Sequence, residues 1–347
     1  MTEENSTTTR QRPARDYDIR FGHGLARSDS ARWPRYAVVT TPSAWKVADP
    51  MLSKQPAGIA YNKWLDPNHL DETTGALPDD MDLAVGVGAG RALDHAEYVA
   101  HKKKVPLMQV PTVVSTGAII HGFCGDWTGR VIHGVACIVN CEYVLVDYDI
   151  ALSAPERLNT AGPGDVLCGD AGLSEWRHSA ARGRGPAFDA EATRDVIAHR
   201  SEIVSRFPAT LDPQKHLTCN SVQFIMKAVQ DRDDPMLRHL AAPSADHGFC
   251  FALELANDRF WIHGEECALG AVIVAWHTGQ SPETLIERLD TCKVMFRPRD
   301  MDIGRGELRR GLEELPRWMG EEKAGRDTES IMRSEPVTGK RFDECWT

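Results

Sequence analysis

The feature that most constrains this chain is a change in sequence pattern near residue 155. Before it, short β-branched or apolar runs alternate with helix-like segments. After it, apolar residues recur at helical spacing with little strand signal. Strands that alternate with helices are typical of a parallel sheet covered by helices on both faces. We therefore expect an α/β, Rossmann-like, doubly wound first half and an all-α second half.

Individual segments support this division. The segment 91–104 (RALDHAEYVAHKKK) has its alanine, leucine and valine side chains on one helical stripe. Strands are expected within 35–41, 81–90, 105–112 and 143–150. Residues 1–16 are polar, have almost nothing to bury and are expected to form a disordered tail. The rest of the chain divides into an α/β domain, 17–155, and a helical domain, 156–347.

Composition limits the partners and the compartment. The formal net charge of −10 argues against a nucleic-acid partner, because phosphate backbones are bound by basic surfaces. No apolar run reaches the roughly 18 residues needed to span a membrane, and the polar N-terminus lacks the apolar segment of a secretory signal. Nine cysteines without a CxxC pair predict reduced thiols. We expect a cytoplasmic protein that acts on a small molecule.

A glycine-rich turn ends the strand expected within 81–90. Gly86, Gly88 and Gly90 lie between an apolar run and an amphipathic helix. Glycines there let the backbone approach a phosphate group, and the free N–H groups of a helix N-terminus favour an anion. The run is not a GxGxxG fingerprint, and no acidic residue follows at the spacing of a ribose contact. On this pattern alone, a nucleotide site and a tight turn without a ligand are equal alternatives.

One carboxylate and two imidazoles in the second half form a candidate metal site. Asp165 follows a Gly-Pro-Gly break, His247 lies in an expected first helical turn, and His263 precedes a long apolar helix. Side chains at three helix starts can converge on one point. Such a set can bind a divalent metal and leave positions open for a substrate oxygen or water. Among 13 histidines, however, a structural role for such a pair is the commoner outcome.

Several segments together resemble the dehydroquinate-synthase-like superfamily, which includes iron-containing alcohol dehydrogenases, glycerol dehydrogenases and sn-glycerol-1-phosphate dehydrogenases. The resemblance is nearest to the last branch. The similar segments are FGHGL (21–25), VGVGAGRALDHAEYVA (85–100), VPLMQVPTVVST (105–116), VDYDIALSAPERLNTAGPGD (146–165) and HGEECALGAV (263–272). The resemblance implies a dehydroquinate-synthase-like fold and a metal-dependent, NAD- or NADP-linked oxidoreductase that acts on a polyol or polyol phosphate.

The resemblance also implies roles for individual residues. Asp165, His247 and His263 would bind a divalent zinc, iron or nickel ion. The first domain would bind the dinucleotide, and the helical domain would bind metal and substrate. The implied cofactor-binding residues are Gly88, Ala89, Gly90, Asp94, Thr112 and Ser115. We further expect a homo-oligomer that contacts neither nucleic acid nor membrane.

The sequence departs from the glycerol-1-phosphate dehydrogenase pattern in several places, one of which is the absence of the lysine that is common after the Asp-x-Ala of the phosphate turn. Ala89 replaces the middle glycine of the phosphate turn, which requires a negative φ there. After Ser115 the chain has Thr-Gly-Ala where that branch has His-Asp-Gly, so a carboxylate that helps to hold the substrate is missing. His121 follows shortly and is the candidate catalytic residue, as a proton relay, although a lone loop histidine is more often structural. Thr40 and Thr41 end the first strand without an acidic residue, which leaves NAD and NADP open.

Two other functions stay open on the sequence. A dehydroquinate-synthase-like sugar-phosphate cyclase would use the same metal and use NAD transiently, but its lysine-rich, double-glycine segments are not visible here. A nucleotide-binding protein without turnover would not need the three metal ligands. Arg297 and Arg299 could bind a substrate phosphate, although the favoured interpretation is that they are solvated or paired with Asp300 and Asp302.

Overall fold

The structure is a computed structural model that describes residues 17–120, 123–128, 131–137, 139, 141–232, 245–321 and 329–346. The expected disordered tail, residues 1–16, lies outside the described residues. The candidate catalytic residue His121 lies outside them as well. Both therefore stay predictions.

Six strands pair side by side in one sheet, and each pairing between them is parallel. In spatial order they are β1 (Ile19–Gly22), β8 (Cys141–Asp147), β5 (Leu107–Pro111), β4 (Leu83–Gly88), β2 (Tyr36–Thr40) and β3 (Gly58–Tyr61). The chain leaves β2 toward one edge of the sheet and leaves β4 toward the other. Doubly wound sheets bind ligands at such a switch point, outside the carboxyl ends of the strands.

Both faces of the sheet are buried, because neighbouring residues of each strand point to opposite sides. Val85 belongs to an apolar cluster that includes residues of helix α2 (Pro42–Ala48). The preceding residue, Ala84, belongs to a separate cluster that includes residues of α4 (Arg91–Lys103). Two further helices of this half are α1 (Leu25–Ser30) and α3 (Pro67–Gly75). The expected doubly wound α/β architecture is confirmed.

Three details of the first half differ from the expectation. The strand expected within 143–150 ends at Asp147, because the Asp147 carboxylate accepts the N–H of Asp149 (3.0 Å) and starts the short helix α5 (Tyr148–Ala151). The edge strands β1 and β3 were not expected. Nor was the antiparallel hairpin of β6 (Phe123–Thr128) and β7 (Val131–Ala136).

The described residues after 155 contain helices and no strand, which confirms the expected all-α second half. The helices are α6 (Glu156–Leu167), α7 (Asp170–Ala181), α8 (Arg194–Arg206), α9 (Cys219–Arg232), α10 (Ala245–Asn257), α11 (His263–His277), α12 (Pro282–Thr291), α13 (Arg305–Glu321), α14 (Ile331–Ser334) and α15 (Gly339–Trp346). None of the described helices is both long and apolar enough to cross a membrane. The exact domain boundary at 155 stays a prediction.

Helix α11 lies at the centre of the helical half. It is buried along nearly its whole length, from Gly264 to Ala275, and it packs against α6, α7 and α10. A helix that is apolar on all sides is stable only when other elements surround it. The long apolar run therefore places His263, the half-buried first residue of α11, at a fixed point beside α6 and α10.

Candidate functional site

The glycine turn lies at the switch point of the sheet, between the end of β4 and the start of α4. Gly88 has φ of 149° and Gly90 has φ of 41°, backbone conformations that favour glycine. Ala89 is not among the residues with positive φ, so the condition for an alanine at this position is met. The N–H of Thr112 donates to the Gly88 carbonyl (2.7 Å), which fixes the turn against the end of β5.

The other expected cofactor residues surround this turn. Asp94 lies in the first turn of α4, and its carboxylate accepts the N–H of Gly125 in β6 (3.3 Å). Ser115 is 7% exposed and belongs to the segment that follows β5. This segment also contacts α6, because the N–H of Val114 donates to Asn159 Oδ1 (2.9 Å). The end of β5 is thereby joined to the helix that carries Asp165.

Close packing of α6 against α11 brings Asp165 and His263 together. A Cβ atom added to Gly264 would lie 2.0 Å from the carbonyl oxygen of Ala161, and one added to Gly164 would lie 2.4 Å from that of Gly264. The two helix backbones therefore approach to a distance that only glycine permits. Arg157 on α6 donates hydrogen bonds of 2.7 and 2.6 Å to both carboxylate oxygens of Glu265 on α11.

The expectation that Asp165 starts a helix is wrong. Helix α6 runs through Pro163, and Asp165 lies in its last turn. The Gly-Pro-Gly sequence disfavours a helix locally, but Gly162 and Gly164 allow α6 to pack against neighbouring elements, and this packing outweighs local propensity. His247 lies in the first turn of α10, and His263 is the first residue of α11, as expected.

Asp165, His247 and His263 converge. Asp165 Oδ1 lies 3.5 Å from His247 Nε2 and 3.6 Å from His263 Nε2. The two imidazole centroids are 5.2 Å apart, with their planes at 65°. Two ring nitrogens and a carboxylate oxygen thus face one point between α6, α10 and α11.

The orientation of His247 is set by its neighbour. Asp246 Oδ2 accepts the Nδ1–H of His247 (2.7 Å), so Nε2 is the ring nitrogen that faces Asp165. Carboxylates that orient a histidine in this way are common around metal-binding imidazoles. For His263, the Sγ atom of Cys250 lies 3.2 Å from Nδ1, and Nε2 again faces Asp165.

Asp165 is an ionised carboxylate in a buried position. Burial alone would raise its pKa, but the positive charge of Arg232, with His247 and His263, outweighs burial and lowers the pKa to about 2. The Arg232 guanidinium forms an ion pair with Asp165 Oδ1 and donates to the backbone carbonyl oxygen of Asp165 (2.9 Å). The carboxylate is therefore ready to bind a cation across the neutral pH range.

These residues fit a divalent metal ion. Asp165 is 1% exposed, yet within the described chain neither of its carboxylate oxygens accepts a hydrogen bond. Arg232 compensates part of this buried charge, and the carboxylate also faces the two imidazole nitrogens, where a cation would add further compensation. Imidazole nitrogens suit zinc, iron and nickel, and the open side of the set could admit a further oxygen.

Two residues of this centre were not predicted from the sequence. One ligand atom from each of Asp165, His247, His263 and Cys267 lies within 4.8 Å of the other three. Cys267 follows His263 by four residues, a helical spacing that could have revealed it. Asp246, which orients His247, gave no signal beyond its position beside a histidine.

The arginines considered as phosphate ligands have acidic partners. Arg297 donates to both carboxylate oxygens of Asp290 (2.7 Å each), so the expected pairing with Asp300 or Asp302 is wrong for this residue. Asp290 lies on α12 near its C-terminal end, close to the segment that follows. Arg299 does pair with Asp300 (3.6 Å).

Comparison with known proteins finds that the chain is similar to dehydrogenases. A family model described as iron-containing alcohol dehydrogenase matches residues 28–155. A glycerol-1-phosphate dehydrogenase [NAD(P)+] from Thermoplasma acidophilum is 26% identical over 232 residues, which is 64% of this chain but only 62% of the relative. A relative of the same name from Methanococcus maripaludis is 22% identical over 324 residues, covering 87% of this chain and 94% of its own length.

Solved structures show that the fold is shared over nearly the whole chain. A probable glycerol dehydrogenase from Sinorhizobium meliloti superposes with a TM-score of 0.66 at 17% identity, over 95% of this chain and 96% of the other. The expected dehydroquinate-synthase-like fold, an α/β domain followed by helices, is confirmed. The sequence matches and the common fold together confirm that this chain resembles the iron-containing alcohol dehydrogenase superfamily.

Proposed function

We propose that this chain is a metal-dependent, NAD- or NADP-linked oxidoreductase that acts on a polyol or polyol phosphate. The observation that carries the proposal is the convergence of Asp165, His247 and His263 on one point, where neither oxygen of the buried carboxylate accepts a hydrogen bond from the residues that the structure describes. The names of the curated relatives, glycerol-1-phosphate dehydrogenase [NAD(P)+], support the same reaction class.

In this proposal Asp165, His247 and His263 are the metal ligands. A bound divalent metal would supply Lewis-acid chemistry, which lowers the pKa of a substrate hydroxyl or polarises a carbonyl. Asp246 holds the His247 ring so that Nε2, not Nδ1, faces the centre. Arg232 neutralises part of the Asp165 charge and closes one side of the carboxylate.

The nicotinamide cofactor would bind at the glycine turn of the switch point. Gly88, Ala89 and Gly90 precede α4, whose N-terminal N–H groups favour a pyrophosphate. Thr112 and Ser115 would line the nucleotide on the path toward α6. Gly162 supports this adjacency, because its added Cβ would lie 2.9 Å from the Val114 carbonyl oxygen. A short path from the cofactor turn to Asp165 is what hydride transfer requires, since the reacting atoms must be held in contact.

The substrate assignment is a polyol or its phosphate. The glycerol-1-phosphate dehydrogenase relatives favour a phosphorylated substrate. The missing His-Asp-Gly segment after Ser115 favours a substrate that is held differently from theirs. We further infer that the protein is a small-molecule enzyme of the cytoplasm and that it assembles as a homo-oligomer. Light scattering of the purified protein would test the oligomeric state.

A substrate screen after metal loading tests the proposed function. The purified protein is loaded separately with zinc, iron or nickel and mixed with glycerol phosphates, free polyols, or the corresponding ketones and aldehydes. Reduced nicotinamide absorbance is recorded with NAD and with NADP. We expect net gain or loss of reduced cofactor with at least one substrate, and none with the His263→Ala variant.

Two outcomes would contradict the proposal. Product that forms without net change of the cofactor would indicate the cyclase chemistry instead. A protein that binds NAD but neither binds metal nor turns over any substrate would be a nucleotide-binding protein without activity.

A further inference from the structure

The turn after β1, part of the FGHGL run (21–25), carries an imidazole that the proposed metal site does not use. His23 follows β1, and its neighbour Gly24 has φ of 63°, a left-handed conformation that favours glycine. The Gly24 N–H donates to Asp149 Oδ2 (3.0 Å), and Asp149 Oδ1 lies 2.7 Å from His23 Nδ1. One carboxylate thus holds both the backbone of the turn and its imidazole.

The position of Asp149 is fixed by the end of β8. Asp147, the last residue of β8, accepts the N–H of Ala26 (2.8 Å) through Oδ2 and the N–H of Asp149 (3.0 Å) through Oδ1. The ring of Tyr148 packs edge-on against His23, with the centroids 5.2 Å apart and the planes at 63°. The imidazole is therefore oriented, although 63% of the His23 side chain is exposed.

Cys219 brings a thiol from the helical half to the same imidazole. Its Sγ atom lies 3.5 Å from His23 Nε2, the ring nitrogen that does not face Asp149. Cys219 is the first residue of α9, and Thr218 caps this helix, because its Oγ1 accepts the N–H groups of the next two residues but one from each side of the first turn, at 3.1 and 3.3 Å. The cap fixes the start of α9, so the thiol meets the ring at a defined place.

A thiol, an imidazole and a carboxylate in this order form the arrangement that activates a nucleophile. A neutral imidazole that donates its Nδ1–H to Asp149 can accept the thiol proton at Nε2. The hydrogen bond with His23, together with that from the Gly24 backbone, holds the pKa of the Asp149 carboxyl below its usual range. Proton transfer would leave a thiolate beside an imidazolium, and the thiolate is the reactive form of cysteine.

Access distinguishes Cys219 from most other cysteines of the chain. All nine thiols are free, but six are buried, and only Cys141, Cys219 and Cys345 are partly exposed. Burial raises the pKa of the Cys345 thiol to about 11, so this thiol stays protonated at neutral pH. Cys219 is both within reach of a small reagent and beside a base.

We propose that Cys219, activated by His23 and Asp149, is a reversible modification site that reacts with small disulfides. The thiol proton passes to His23 Nε2, and the sulfur attacks one sulfur of the disulfide. A new S–S bond to Cys219 forms as the old S–S bond breaks, and the departing thiolate takes the proton from His23. Cys219 is oxidised and the small disulfide is reduced, so no other oxidant is required. An excess of small thiol reverses the reaction.

The uncharged reagent 2-hydroxyethyl disulfide is the probe for this proposal. The full-length protein is mixed with the reagent at neutral pH, quenched with acid at intervals and digested. Mass spectrometry then measures the modified fraction of each cysteine. We expect Cys219 to react first, at least about tenfold faster than Cys345, since only a thiolate attacks a disulfide. Excess thiol should restore the unmodified mass.

Replacement of the base tests the role of the imidazole. His23→Gln should slow the modification of Cys219 about tenfold or more, because an amide cannot accept the thiol proton. His216→Gln is the matched control. His216 is also exposed and paired with a carboxylate, Glu156 (3.1 Å), and it lies close to Cys219 in the sequence. This control should keep the wild-type rate, and both variants should keep the wild-type helical circular dichroism.

Two results would overturn the proposal. In one, Cys219 of the wild-type protein reacts no faster than Cys345. In the other, His23→Gln and His216→Gln modify Cys219 at the same rate. Neither result would bear on the proposed metal site, because Cys219, His23 and Asp149 are not among its ligands.

Discussion

Replacement of Gly264 by alanine tests how the fold builds the site. The added Cβ would lie 2.0 Å from the Ala161 carbonyl oxygen, 2.8 Å from its carbonyl carbon and 3.2 Å from the Asp165 nitrogen. Because these are backbone atoms, no side-chain rotation can relieve the clash. Helices α6 and α11 must separate by about 1 Å before the shortest contact becomes tolerable.

The separation has two measurable consequences. Overpacking of this kind lowers the free energy of unfolding by about 1–3 kcal/mol, and the better helix propensity of alanine offsets less than about 1 kcal/mol of that loss. We therefore expect the free energy of unfolding of the metal-free protein to fall by about 2 kcal/mol in urea titrations. The gap between Asp165 and His263, now 3.6 Å, should widen. Since metal ligands must be held within about 0.5 Å of their working positions, zinc affinity should fall at least about tenfold.

Gly306→Ala is the matched control. Gly306 also lies near the start of a helix, α13, but its added Cβ would come no closer than 3.6 Å to the Arg310 side chain. This variant should unfold at the same urea concentration as the wild type or slightly higher, and bind zinc equally well. The packing account is refuted if Gly264→Ala matches Gly306→Ala in both stability and zinc affinity.

Three further perturbations have defined outcomes. Burial raises the pKa of Glu175 to about 7, from an ordinary 4.5, despite hydrogen bonds from Ser330 and Ile331. The protonated form stabilises the folded protein; this stabilisation is complete below pH about 4.5 and is lost as the pH rises through about 7. Between pH 4.5 and 8, the free energy of unfolding of Glu175→Gln should therefore rise by about 3 kcal/mol relative to that of the wild type. If the difference in unfolding free energy between Glu175→Gln and the wild type did not change between about pH 4.5 and 8, the raised pKa of Glu175 would be excluded. Asp246→Ala should weaken zinc binding about 10–100-fold in chelator competition while the helical circular dichroism is unchanged; equal affinity would show that Asp246 does not orient His247. Gly90→Ala, at a φ of 41°, should cost about 1–3 kcal/mol of stability and weaken NAD binding measured by calorimetry, and normal binding would argue against a cofactor at this turn.

Periodic patterns predicted the centre of the sheet but not its edges. Strands β2, β4 and β5 are mostly apolar runs, and α4 has a single apolar stripe, so these patterns identified them. The edge strand β1 has only four residues (IRFG) and mixed polarity. Such a strand forms because β8 offers it a partner, and that information is not local.

The candidate site was predicted in part. His263 could be placed because a long apolar helix follows it, and His247 because a helix was expected to start there. Helix α6 could not be predicted, because Gly162, Pro163 and Gly164 oppose a helix locally and are tolerated only through contacts with distant helices. Cys267 was overlooked for a similar reason, since a buried thiol is informative only when its neighbours are known.

The metal content of the protein after zinc loading and desalting tests the proposed metal site. Inductively coupled plasma mass spectrometry should find about one zinc ion per wild-type chain, the stoichiometry of a single centre. Asp165→Asn and His263→Ala should each retain far less while keeping the wild-type helical circular dichroism. Zinc retained at the wild-type level in both variants, or absent from the wild type, would contradict a metal centre built from Asp165, His247 and His263.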